Sequence, residues 1–120
     1  MVIVDTSVWV SHFQAGNVHL GRLLEEGEVL SHPFIVGELA CGNLNNRREI
    51  LSLLRALPAA VTATHDDVLL FVEEQRLMGL GLGYVDIHLL AAARLTAVPL
   101  WTNDKRLKDA ALRLGVDFNR

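Results

Sequence analysis

The most constraining feature of this chain is a pattern that occurs twice. A short apolar run ends in a polar turn carrying an aspartate, and a helix follows. Val2-Ile3-Val4 is β-branched throughout and stops at Asp5-Thr6-Ser7, as a buried strand feeding a helix N-cap would. Val98 to Trp101 stops at Thr102-Asn103-Asp104, and Leu107, Ala110, Ala111 and Leu114 then recur at the spacing of one helical face. Short, wholly apolar strands separated by helices belong in a parallel sheet covered on its faces. The carboxyl ends of such strands form the ligand crevice, so Asp5 and Asp104 are expected on one edge of the sheet.

The segments between extend the alternation. Leu20, Leu23 and Leu24, with Arg22, Glu25 and Glu26 opposite, predict a short helix stopped at Gly27, and Glu28-Val29-Leu30 a second strand. His32-Pro33 opens another helix, because proline suits the first helical turn. Ile50, Leu53, Leu54 and Leu57 predict a helix ended by Pro58, and Val68, Leu69, Phe71 and Val72 one stopped by the glycines at 79, 81 and 83. Residues 84–97 are apolar almost all round and should form a central helix. Val116 to Phe118 reads as a final short strand. The expected architecture is α/β: a mostly parallel central sheet flanked by helices, in a single domain over residues 1–120. At 51% hydrophobic, 120 residues suffice for one core, and no linker or repeat divides them.

The lone Cys41 forbids an intrachain disulfide, which points to a reducing, cytoplasmic setting, and it reads as a small buried hydrophobe. Ile87 to Trp101 is interrupted by His88, Arg94 and Pro99 and is too short to span a bilayer. The start lacks a basic segment and a cleavage site, so neither a signal peptide nor a membrane is expected. A net charge of −3 does not itself suggest a nucleic-acid partner. The distribution is uneven, however. After Asp104 come Lys105, Arg106, Lys108, Arg113 and Arg120 against Asp109 and Asp117, and a smaller group, Arg47, Arg48 and Arg55, sits mid-chain. Alone, each is a solvated helix face. Beside an acidic site, Lys105, Arg106, Lys108 and Arg113 become candidates for binding RNA phosphates.

Two further acids complete that site. Glu38 lies in Phe34-Ile35-Val36-Gly37-Glu38-Leu39-Ala40-Cys41, among apolar or small neighbours. It should face the buried side of its helix or the rim, and no base stands near it in sequence. Asp86 falls in the first turn of the most apolar helix, behind Gly79-Leu80-Gly81-Leu82-Gly83. That glycine run follows a helix and lacks the dinucleotide-binding spacing, so it reads as a flexible approach to the site. Each acid alone has a structural explanation, as an N-cap or a dipole partner. Four together repel one another, and the ordinary resolution is a hard divalent cation, Mg²⁺ or Mn²⁺. Such ions activate water and clamp a phosphoryl group.

With these residues in place, the chain resembles the PIN domain, and within it the VapC-type toxins of bacterial and archaeal toxin–antitoxin systems. The resemblance spans nearly the whole chain. It is carried by the opening Val-Ile-Val-Asp5-Thr6-Ser7-Val8-Trp9, Glu38 in its apolar helix, Gly81 to Leu90 with Tyr84-Val-Asp86, and Leu100-Trp101-Thr102-Asn103-Asp104-Lys105. It implies a Mg²⁺- or Mn²⁺-dependent endoribonuclease in which Asp5, Glu38, Asp86 and Asp104 hold the metal. Thr6 or Ser7, and Thr102, would orient those carboxylates and the phosphate. It also implies single-stranded or loop RNA as substrate, a cognate antitoxin as inhibitor, and a homodimer.

Other readings are open at this point. The acidic site would also suit a nuclease acting on DNA or a repair intermediate, and a degenerate site would leave a module that only binds RNA or a partner. A receiver-type phosphoacceptor needs a mid-chain aspartate, and residues 44–64 contain none. His12, His19, His32, His65 and His88 are not paired by spacing as a metal-free ribonuclease would need. Trp9 and Trp101, beside strands, read as core.

Overall fold

In the computed structural model, which describes residues 1–119, Val2–Val4 forms the middle strand, β1, of a three-stranded sheet. All three of its residues are at most 1% exposed, which is why the run is β-branched and lacks polar alternation. β1 pairs in parallel with β2 (Val29–Leu30) through Val2↔Val29 and Ile3↔Leu30. On its other side it pairs in parallel with β3 (Leu100–Trp101) through Ile3↔Leu100 and Val4↔Trp101. The order is β2-β1-β3. Parallel pairing brings the carboxyl ends of all three strands to one edge, where Ser31, Asp5 and Thr102 follow.

Helices supply every crossover. α1 (Thr6–Ala15) and α2 (Val18–Glu25) link β1 to β2. α3 (Pro33–Cys41), α4 (Arg47–Ala56), α5 (His65–Gln75) and α6 (Tyr84–Thr96) link β2 to β3, and α7 (Lys105–Leu114) follows. Residues 87–93 of α6 are all buried, so the helix is central as its composition demands. Among the described residues, no helix is long and apolar enough to cross a membrane.

The helix expected at Ile50–Leu57 forms as α4 and is peripheral, with Leu54 3% exposed but Leu53 62% exposed. Two expectations need correction. The strand expected at Val116–Phe118 shrinks to one parallel bridge, Leu100↔Asp117, because β3 is only two residues long and offers one register pair. Cys41 is exposed rather than buried, since it ends α3 beyond the stripe set by Ile35 and Leu39. Arg120, counted in the basic C-terminal stretch, lies outside the described residues.

Candidate functional site

Asp5 is the junction of sheet and site. Its N–H donates to the Trp101 carbonyl at 2.9 Å, joining β1 to β3 beyond the last paired residues. Its side chain, in a residue only 7% exposed, accepts three hydrogen bonds. The donors are Thr6 N–H (2.8 Å), Ser7 Oγ (2.9 Å) and Thr102 Oγ1 (2.7 Å). A buried carboxylate needs such partners, and hydroxyls from two elements supply them. Thr102 Oγ1 in turn accepts from Asp104 N–H at 3.0 Å, and Ser7 Oγ accepts from Asn103 N–H at 3.1 Å. Thr102 and Ser7 therefore orient the carboxylate and fix the turn that carries Asp104. Asp104 caps α7, its Oδ1 accepting from Leu107 N–H at 3.0 Å, and the residue is otherwise exposed.

Glu38 approaches from α3. It is exposed, at the rim rather than on the buried side, because Ile35 and Leu39 take the core-facing stripe. Its Oε1 accepts from Thr6 Oγ1 at 2.7 Å. Asp86 stands in the first turn of α6 and accepts from Gly83 N–H at 2.9 Å. Burial pushes its carboxyl above the usual range and the Gly83 N–H opposes that, while the charges of Asp5, Asp104 and Glu38 push it up further. The other three acids thus all lie within electrostatic reach of Asp86.

The described residues form two ion pairs, the Met1 amino group with Glu28 and Lys105 with Asp109. None of the four acids takes part in either. Among the described residues, no three acidic, histidine or cysteine side chains are arranged to ligate one ion as they stand. Each carboxylate is instead turned to a hydroxyl or a helix N–H. The donor set still fits a hard divalent cation: it is all oxygen and carries four carboxyl groups without a neutralising base, and the Asp86 carboxyl is raised by burial and further by the other three acids.

A profile of the PIN domain matches residues 2–112, a span that contains all four acids. The chain belongs to the PIN-domain family. It is 44% identical to Ribonuclease VapC32 of Mycobacterium tuberculosis, in strain CDC 1551 / Oshkosh and equally in strain H37Rv, over 97% of this chain and 94% of the relative. The fold is like that in the crystal structure of PAE2754 from Pyrobaculum aerophilum, with a TM-score of 0.63 at 17% identity, covering 95% of this chain and 88% of that one.

Within this PIN domain the basic side chains are unequal. Arg113 donates to the carbonyls of Gln75 and Arg76 and so caps the end of α5. Arg106 lies against Gly81, whose φ of +76° and missing Cβ leave room for the guanidinium. Lys105 pairs loosely with Asp109 at 3.5 Å, both exposed, and Lys108 is exposed. Arg47 donates to the carbonyls of Gly42 (3.1 Å) and Ala40, closing the end of α3. Sequence reasoning missed the capping by Arg47 and Arg113; for Arg47 the signal was a base shortly after the end of α3, whereas Arg113, on α7, gave none. It also passed over His32 and His88. Both are buried and carry ring nitrogens without a hydrogen-bond partner. Burial, then the facing His88, lowers His32 to about 4, and burial, then His65, lowers His88. Neutral imidazoles of this kind are packing groups. Trp9 and Trp101 are core, each 3% exposed.

Proposed function

We propose that this PIN domain is a metal-dependent endoribonuclease and the toxin of a VapC-type toxin–antitoxin pair. One observation carries the reading: four carboxyl groups, unpaired with any base, gathered where parallel strands end. Identity of 44% with a relative named a ribonuclease supports RNA as substrate. Asp5, Glu38, Asp86 and Asp104 would hold Mg²⁺ or Mn²⁺. When bound, the cation supplies an activated water and neutralises charge on the phosphate.

The chain's own residues set the stage for hydrolysis of the phosphodiester bond. Asp5 is immobilised by Thr6, Ser7 and Thr102, so one ligand oxygen is held in advance. Glu38 is held by Thr6 alone and is free to rotate inward. Acids alone would repel RNA, so the nearby Lys105, Arg106 and Lys108 draw in its backbone. Arg113, engaged with α5, contributes mainly through the long-range field. A free nuclease of this kind endangers its own cell, which requires a cognate antitoxin. A homodimer of one catalytic domain over residues 1–120, working in the cytoplasm where its RNA is, completes the proposal.

The test is cleavage of end-labelled single-stranded and hairpin RNAs, with DNA of the same sequence alongside, with and without Mg²⁺. The reading expects RNA to be cut only with the metal, and Asp5→Asn to be inert. Cleavage unaffected by chelator, or DNA cut in preference, would overturn it.

A further inference from the structure

Thr6 and Glu38 also form one end of a cleft of about 600 Å³ that runs away from the acids between α1 and the turn joining α3 to α4. That volume suits a nucleoside-sized group. Its lining includes Gln14 of α1 and Asn43, Asn45 and Asn46 of the turn, with Phe13, Leu44 and Ile50 as apolar walls. It contains no lysine or arginine, and Glu38 is its one charged member. A phosphate would find no counter-charge here. A neutral, flat ring with hydrogen-bonding edges would.

The carboxamides are available. Asn46 makes no capping bond to α4 although it occupies the N-cap position, and it holds a left-handed conformation at φ 55°, ψ 40°. Asparagine is the side-chain residue that best tolerates that region. Gln14, Asn43 and Asn45 are exposed, and among the described residues none has a side-chain hydrogen bond. The turn is nonetheless anchored, because Arg47 clamps the carbonyls of Ala40 and Gly42 on its α3 side. Three asparagines are thus presented on a fixed turn, next to the acid that would bind metal, with no internal task.

We propose that this cleft is a base-reading subsite for an unpaired nucleotide beside the scissile phosphate, and that its carboxamides favour adenine. A carboxamide sets a donor beside an acceptor and meets adenine's N6 amino group and N7 in two bonds, and an unpaired base leaves those edges open. The assignment rests on RNA being the substrate.

The experiment measures binding without metal, so that it does not depend on cleavage. Fluorescent oligouridylates carrying one adenosine, guanosine, cytidine or abasic residue are titrated in EDTA with wild type, Asn43→Ala, Asn45→Ala and Asn46→Gly. The glycine keeps the positive φ while removing the carboxamide. Wild type should prefer the adenosine oligomer by about tenfold. At least one asparagine variant should lose that preference, with unchanged melting temperature and unchanged affinity for the abasic oligomer. No preference in wild type, or an undiminished preference in all three variants, would overturn the subsite. So would variants that keep the preference but lose the product of the adjacent small open reading frame, since the cleft would then take a protein. If the preference is lost on substitution but wild type cuts no RNA in Mg²⁺, the subsite stands and the ribonuclease reading fails.

Discussion

The two halves of the acidic site are built to different standards. On the β1–β3 side, Asp5, Ser7, Thr102 and the Asp104 backbone form one continuous hydrogen-bonded unit, largely buried and tied to the sheet. On the α3–α6 side, Glu38 has one hydroxyl partner and Asp86 one backbone N–H. The first half is stable without a ligand. In the second, burial raises the Asp86 carboxyl, and the charges of Asp5, Asp104 and Glu38 raise it further. The two walls thus differ in how firmly they are anchored, and substitutions on the two sides should separate stability from activity.

The largest expected effect does not distinguish the halves. Asp5→Asn and Asp86→Asn should each lower RNA cleavage at saturating Mg²⁺ by about a hundredfold or more. Either variant cutting at the wild-type rate would remove that residue from the site.

A smaller effect lies behind the α3–α6 wall. His32, 0% exposed, is held near pKa 4 against an ordinary 6.5, with His88 the titratable group facing it. The unfolded chain therefore binds more protons than the folded one between those values. Stability should be full above about pH 6.5 and fall by about 3 kcal/mol as pH drops towards 4. Denaturant melts across that range should show the loss, and His32→Gln should flatten it.

Next comes the contrast in stability. Asp5→Asn replaces an acceptor of three bonds by a group that presents an NH₂ to hydroxyls and a helix N–H, and should cost about 1–3 kcal/mol. Asp86→Asn removes a carboxyl whose raised pKa makes its ionisation unfavourable to folding at neutral pH, so the metal-free protein should melt higher. Equal shifts in both variants would abolish the distinction between the walls. The smallest effect is Thr6→Val, which frees Glu38 at an exposed site and should change stability by less than about 1 kcal/mol. Its consequence should appear as weaker Mg²⁺ activation of cleavage.

Much of this was legible in the residues. The strands β1 and β3 announced themselves because short, wholly apolar runs, each closed by a polar turn, have few other solutions, and α6 because it is apolar almost all round. The four acids were legible for the same reason: each breaks an apolar context or follows a strand. What escaped notice depends on tertiary placement. Val116–Phe118 looked like a strand, but its length in the sheet is limited by β3. Cys41 looked buried from its neighbours, yet a helix's last turn leaves its stripe. Lys105, Arg106, Lys108 and Arg113 look alike in sequence, but only the fold reveals that Arg113 reaches the carbonyls that end α5. The asparagines at 43, 45 and 46 read as a polar turn until the fold set them beside Glu38.

The central claim is that the two walls meet on one divalent cation, and the most direct measurement is the melting temperature of metal-stripped protein across a Mn²⁺ titration. A cation that binds only the folded site stabilises it by mass action, by about 2.7 kcal/mol at a hundredfold excess over Kd. Wild type should rise with Mn²⁺, while Asp5→Asn and Asp86→Asn, one from each wall, should rise far less. A wild type indifferent to Mn²⁺, or variants that rise equally with it, would contradict the account.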